Sequence, residues 1–505
     1  MRALPTVAMI AAAALAATAC TGGQEPGGSA KASERGPAGL EQFYGQHPTW
    51  TDCKDGFQCA DVRVPLDYAK PTTGELKLKV IRLPARKRAE RIGSLVTNPG
   101  GPGGSGVEFV RNAARAFGTS LRDRFDLVGF DPRGVGQSDP VRCLSPKELD
   151  QYFATDTSPD DQAEVNQIAA VSRKFANGCQ TDSGRLLPHV GTVDAARDID
   201  ILRAVLGDQK LTYYGASYGT YLGAFYAEQF PRNIRAMVLD GAVDPKLTAE
   251  QVNIEQAKGF ERALRAFAAD CVKKPNCPLG TGSVDDALAQ VSALLARADR
   301  TPLRNGTGDG RTINEAIVAL GIAQPLYVKQ LWPFLRLALT QAIKNGDGTS
   351  LLASADEQVE RKPDGTYTNL MEANNAVNCI DKPFAHDVAS FQRQADEAKK
   401  VAPRFGPFIV WSTLTCGYWP VRTTEQPRPL AATGAPPIVV VGTTRDPATP
   451  YEWAKGLASE LSSGVLLSFD ADGHTAYLQG NPCISSAVET YLTAGKPPEK
   501  NTLCR

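Results

Sequence analysis

Apolar and polar positions along this 505-residue chain change rhythm twice. In the first part, short apolar runs bounded by Gly and Pro alternate with segments whose apolar residues recur every three or four positions. VRVPLDY and LKLKVIRL predict antiparallel strands that begin a sheet, whereas SLVTN (94–98) and FDLVGFD (125–131) are continuous apolar runs, the pattern of strands covered on both faces. VEFVRNAARAF and VDAARDIDILRAVLG (193–207) read as helices, the second closed by a glycine. KLTYYG (210–215), a helix from about Tyr218 to Phe230 stopped by Pro231, and RAMVLDG (235–241) continue the alternation. Strands separated by helices predict an α/β fold with a mainly parallel sheet.

Between residues 244 and 433 the strand rhythm stops. TAEQVNIEQAKGFERALRAFAADC, VDDALAQVSALLARA and QLWPFLRLALTQAI carry helical periodicity. The α/β pattern then resumes with PPIVVVGTTRD (436–446), SGVLLSFDADGH (463–474) and a helix over 484–492. A sheet interrupted and later completed predicts one core with an inserted helical lid: core over 40–243, lid over 244–433, core again over 434–505.

The amino terminus has a different character. Arg2 precedes an apolar run, Val7 to Ala19, too short to cross a bilayer and shaped like the centre of a signal peptide. Small residues then lead directly into Cys20, as in the lipobox of bacterial lipoproteins. Residues 1–19 are therefore expected to be removed and Cys20 to be acylated, anchoring the chain on the extracellular side of a bacterial membrane. The rival is an ordinary secretory signal that releases the protein. Residues 20–39, rich in Gly, Pro and small polar residues, suit a flexible tether.

Eleven cysteines fit an exported protein. Apart from Cys20 they fall as neighbours: Cys53 and Cys59, Cys143 and Cys179, Cys271 and Cys277, Cys379 and Cys416, Cys483 and Cys504. Five local disulfides are the simplest reading, and zinc the weaker one, since there is no Cys-x-x-Cys and only four histidines. Lys and Arg total 55 against 55 Asp and Glu. That balance, without a basic patch, argues against a nucleic-acid partner.

Chemistry concentrates in a few motifs. Gly215-Ala216-Ser217-Tyr218-Gly219 lies between an apolar strand and a helix, the context of a nucleophile elbow. Ser217 is the expected nucleophile. Its base should follow it in the chain, where only His386 and His474 occur; His386 falls inside the lid, and His47 and His189 precede the serine. His474, just past the strand GVLLSF, is the expected base. The acid should leave a strand between serine and base, which selects Asp446 in GTTRDPATP, with Asp240 as the main rival and Asp470 and Asp472 too close in sequence to His474.

One motif invites a different reading. Asn98 to Gly106 (NPGGPGGSG) contains Gly101-x-Gly103-x-x-Gly106 between strand and helix, with Asp131 ending the next strand, as in a dinucleotide site. Pro99 and Pro102, however, lack two N–H groups that a phosphate cradle would use. A serine elbow needs such a loop for an oxyanion hole, with donors expected from Gly101, or the neighbouring Gly100, and from Tyr218. No metal or organic cofactor is expected, since serine, histidine and aspartate suffice for acyl transfer.

Taken together, NPGGPGGSG, Phe130-Asp131-Pro132-Arg133-Gly134, GASYG, Asp240-Gly241, Cys416-Gly417-Tyr418-Trp419-Pro420, GTTRDPATP and DGHTA resemble the secreted tripeptidyl aminopeptidases of actinobacteria, α/β-hydrolases related to proline iminopeptidase. The resemblance implies an α/β-hydrolase fold and a serine exopeptidase that removes short peptides, tripeptides in the family, from a free N-terminus. A carboxylate should then meet the substrate amine; Glu250, Glu255, Glu261 and Glu372 are candidates at the lid boundary, with Glu250 and Glu372 put first. The expected partners are peptides and, through Cys20, the membrane; a monomer is expected. A lipid-anchored esterase or lipase with the same triad, and a non-catalytic surface lipoprotein of hydrolase fold, are the rival functions.

Overall fold

The computed structural model describes residues 36–505. The signal segment, Cys20 and most of the tether lie outside the described residues.

Ten strands form one sheet: β1 (Thr51–Asp52), β2 (Gln58–Pro65), β3 (Glu75–Leu83), β4 (Gly93–Asn98), β5 (Phe125–Phe130), β6 (Leu211–Ala216), β7 (Ile234–Asp240), β8 (Ile438–Arg445), β9 (Gly464–Asp472) and β10 (Thr502–Cys504). Their order is β1-β2-β3-β5-β4-β6-β7-β8-β9-β10. The first pairs are antiparallel, up to β3 against β5, and every pair from β5 to β10 is parallel. Chain direction across the sheet reverses at β4, which has β5 on one side and β6 on the other. Crevices at the carboxyl ends of strands open at such a switch point, and the β4 and β6 ends there carry Asn98 and Ala216-Ser217.

Every residue of β4, β5 and β6 is buried. Alternate side chains feed two layers: Val96, Tyr213, Ile438 and Val440 enter one core, and Leu95, Tyr214, Val439 and Val441 the other. The sheet is thus covered on both faces, as its unbroken apolar runs require.

The helices that matter below are α1 (Gly106–Ala113), α2 (Gln162–Ser183), α3 (Thr192–Val205), α4 (Tyr218–Gln229), α5 (Ala249–Cys271), α6 (Val284–Arg300), α7 (Glu315–Ala323), α8 (Trp332–Asn345), α9 (Thr349–Gln358) and α10 (Leu370–Asp381). Those from α5 to α10, with further helices up to Leu414–Gly417, lie between β7 and β8. Leu264, Leu294, Ile322, Leu335 and Leu351 from α5 to α9 build a separate core of their own. The long helix α2 was not distinguished by sequence reading. Its Phe175 and Cys179 join the core beside the sheet, while Ile168 packs with Phe391 and Trp411 of the inserted segment. Helices before β6 therefore help support the lid.

The five expected neighbour pairs are all disulfides: Cys53–Cys59, Cys143–Cys179, Cys271–Cys277, Cys379–Cys416 and Cys483–Cys504. Among the described residues no helix is long and apolar enough to cross a membrane.

Candidate active site

Ser217 caps the sharp passage from β6 into α4 with φ 55° and ψ −127°, a conformation that costs a residue with a Cβ about 1–3 kcal/mol. Its N–H donates to the Asp240 carbonyl at 2.8 Å, tying the turn to the neighbouring strand end. The flanking glycines are required by space: a Cβ on Gly215 would lie 2.3 Å from the Gly219 carbonyl oxygen, and one on Gly219 2.7 Å from that of Asn98. The Gly-x-Ser-x-Gly pattern is the sequence trace of this crowding.

At the end of β8, Asp446 is fully buried and turns both carboxylate oxygens to His474 Nδ1, each at 2.9 Å. Four further donors hold it: the Ala448 and Thr449 N–H groups at 2.9 and 2.8 Å, the Thr449 hydroxyl at 3.0 Å and the Thr475 N–H at 3.1 Å. Thr449 Oγ1 also stands 3.3 Å from His474 Nδ1. Burial alone would lower the His474 pKa; the charge and hydrogen bond of Asp446, with the field of Asp240, outweigh it and raise the imidazole above its ordinary value. All of the side-chain hydrogen bonds of His474 among the described residues use Nδ1, which leaves Nε2 for the cavity.

The rival acids are engaged elsewhere. Asp240 accepts from the Tyr214 hydroxyl and from the Ala476 and Tyr477 N–H groups, each at 2.9 Å, so it braces the loop that follows His474. Burial raises it to about 6. Asp470 pairs with Arg445, and Asp472 with Arg445 and Lys329. His386 lies beside Arg422 and the Gly417 carbonyl, away from Asp446.

The glycine-rich loop after β4 folds over the elbow. A Cβ on Gly100 would lie 2.7 Å from Ser217 Cβ and 3.1 Å from Tyr218 N. The Gly100 N–H is taken by Asn98 Oδ1 at 3.0 Å. The N–H groups of Gly101 and of Tyr218, at the first position of α4, donate to no internal acceptor among the described residues, and both residues line the cavity with Ser217 and His474. Asp131, which imitates a ribose ligand in the sequence, instead accepts from Ser105 Oγ at 2.6 Å and from the Val107 and Gln137 N–H groups at 3.1 and 2.9 Å. It fastens the start of α1, and so the loop.

The cavity has a volume of about 620 Å³, with Ser217 and His474 on one side and residues of α5, α9 and α10 on the other. None of the four glutamates named from the sequence lies on its wall. Glu250 is exposed in the first turn of α5. Glu372 is buried, accepts from the Cys143 N–H at 2.6 Å and the Leu144 N–H at 3.2 Å, and meets Arg142 at 3.4 Å. Glu255 accepts from the Trp453 indole and Glu261 pairs with Arg404. The carboxylates that do line the cavity are Glu357, Glu360 and Asp381. Glu357 and Asp381 sit on lid helices and Glu360 in the turn after α9, and no local pattern announces which of these positions face the cavity. Away from it, Asp156, Asp299 and Glu315 bring carboxylate oxygens within 4.8 Å of one another, and burial together with the two aspartates raises Glu315 to about 7.

A model described as TAP-like protein matches residues 399–504. Over 485 residues, 92% of each chain, the sequence is 40% identical to serine protease Hip1 of Mycobacterium tuberculosis. It is 37% identical to carboxylesterase B of the same organism, covering 90% of this chain and 89% of that one. It is 33% identical to the tripeptidyl aminopeptidase of Streptomyces lividans, covering 90% of this chain and 86% of that one.

Proposed function

This chain belongs to the tripeptidyl aminopeptidase-like α/β-hydrolases of actinobacteria, and from that membership we propose that it is a serine exopeptidase releasing short peptides, tripeptides foremost, from free N-termini. The observation that carries this reading is the buried Asp446–His474 pair facing Ser217 across one cavity. Relatives named as a serine protease and as a tripeptidyl aminopeptidase support the peptide substrate.

In this reading His474 Nε2 takes the proton of Ser217 as the hydroxyl oxygen bonds to the scissile carbonyl carbon. Asp446 stabilises the resulting imidazolium without taking its proton. The developing oxyanion is received by the N–H groups of Gly101 and Tyr218, fixed dipoles that need no reorganisation during the reaction. His474 then protonates the leaving amine as the C–N bond breaks, and deprotonates the water that releases the acyl peptide. Glu357 and Glu360 take the place of Glu250 and Glu372 as receivers of the substrate ammonium, because they line the cavity. A volume of about 620 Å³ suits a few residues of peptide and excludes a folded chain.

Cys20, acylated after removal of residues 1–19, would hold the enzyme on the outer side of the membrane, with the segment to residue 39 as spacer.

A tripeptidyl anilide with a free amine, its N-acetylated form and a p-nitrophenyl ester test the substrate. Hydrolysis of the free-amine anilide far ahead of the other two is expected. Equal turnover of all three would favour the esterase reading, to which the relative named carboxylesterase B gives weight.

A further inference from the structure

We propose that Lys382 binds a carboxylate of the peptide substrate inside the cavity served by Ser217. The inference rests on the peptidase reading above and extends it to a second charged end of the substrate.

Helix α10 lines the cavity with Leu370, Asn374 and Asn378, four residues apart as one helical face requires, and Lys382, the extended residue that follows its last turn, joins them on the wall. Among the described residues, Lys382 is the sole lysine or arginine on the wall. Its ammonium donates to the Leu247 carbonyl at 2.9 Å and stands 4.9 Å from the centre of the Tyr221 ring. An ammonium has three N–H bonds; the other two have no protein acceptor among the described residues.

The acidic groups around it are committed elsewhere. Asp381 accepts from the Thr192 N–H at 2.8 Å and hydroxyl at 2.5 Å, and Asp244 meets Lys246 at 3.4 Å. Lys382 makes no ion pair with either among the described residues. Burial lowers its pKa to about 8, against the charges of Asp381 and Asp244, which act to raise it. Buried charges are ordinarily paired, and here the cavity is where the pair would be completed.

The position suits a short peptide. Asn374 Nδ2 donates to the Pro102 carbonyl at 3.0 Å, so this turn of α10 abuts the oxyanion loop. Eight residues further on, at 1.5 Å each, Lys382 lies about 12 Å along the axis, the length of three to four extended residues. A carboxylate at that remove comes from the peptide's own C-terminus or from an acidic side chain.

Two pairs of free-amine peptides separate these sources: a short peptide as acid or as C-terminal amide, and an amidated peptide carrying Glu or Gln. In the wild-type enzyme the carboxylate-bearing member of at least one pair should show a KM lower by about tenfold, the worth of one charge-assisted contact, and Lys382→Gln should erase that difference. The same peptides titrated calorimetrically into the Ser217→Ala protein should give the same ratio without turnover. Absence of discrimination in both pairs by the wild-type enzyme and by Ser217→Ala overturns the proposal even if Lys382→Gln does not fold. Discrimination that persists in Lys382→Gln overturns it too. If the wild-type enzyme cleaves no peptide, the peptidase reading fails, while the calorimetric ratio still decides on Lys382.

Discussion

Tyr327, in the lid, accepts the backbone N–H of His474 through its carbonyl at 2.8 Å and sets its ring almost perpendicular, at 83°, to the imidazole with centroids 5.4 Å apart. The lid therefore roofs the cavity and also seats the histidine loop. Tyr327→Ala keeps the carbonyl but removes the ring, which also packs edge-on against Phe260. We expect kcat/KM to fall about ten- to hundredfold as the imidazole loses its seat. Burial acts to lower the His474 pKa, so its loss should move the acid limb of the pH profile upward. A wild-type limb in an active Tyr327→Ala enzyme would show that the ring does not govern the histidine.

The pH profile has a sign fixed by Asp446. As the proposed base His474 must be neutral, and its pKa is raised above the ordinary value near 6.5. Activity should therefore be low in acid and rise as pH climbs through that raised value. Asp446→Asn removes the charge that raises it, so the limb should shift downward while kcat falls by a factor on the order of 10⁴, as when a triad acid is lost. Steady-state kinetics across pH check both. A limb that stays in place would assign it to another group, for example to Asp240, which burial raises to about 6.

Gly106 makes a separate case, because the sequence offers it as the last glycine of a dinucleotide motif. A Cβ there would lie 2.1 Å from the Phe130 carbonyl oxygen, and a Cβ on Gly129 would lie 2.0 Å from the Gly106 carbonyl oxygen. The first turn of α1 thus rests directly on the backbone of β5, and both contacts are with atoms that cannot rotate away. Gly106→Ala should cost about 3 kcal/mol or more by overpacking, read as a lower denaturation midpoint. An unchanged midpoint would mean the helix can lift from the strand.

What could be read before the fold was known follows from where each signal is written. Buried parallel strands need continuous apolar runs, and a strained elbow needs glycines on both sides, so β4 to β9 and Ser217 are visible in short windows. Asp446 and His474 each sit at a strand's carboxyl end, which a pattern can locate. Thr449, Tyr327 and Lys382 could not be found this way, for their roles depend on distant segments meeting: Thr449 with Asp446 and His474, Tyr327 with a loop far along the chain, Lys382 with Leu247 and Tyr221. The same holds for the glutamates. Glu372 and Glu357 are both helical carboxylates in the sequence, and packing alone sends one to backbone N–H groups and the other to the cavity wall.

The strain at Ser217 supplies the last test, because it separates the hydroxyl from the backbone that presents it. Ser217→Ala and Ser217→Gly both remove the proposed nucleophile and should abolish hydrolysis. They differ in the folded state: alanine keeps a Cβ at φ 55°, whereas glycine adopts that region freely. Glycine also leaves the unfolded chain more flexible, which opposes its advantage. With about 1–3 kcal/mol of strain to relieve against less than about 1 kcal/mol of added unfolded-state entropy, the glycine variant should be the more stable by about 1 kcal/mol. Denaturant midpoints of the two inactive proteins, with disulfides intact, make the comparison. If alanine proves as stable as glycine, the elbow is held without strain, and its geometry follows from Gly215, Gly219 and the Asp240 hydrogen bond alone.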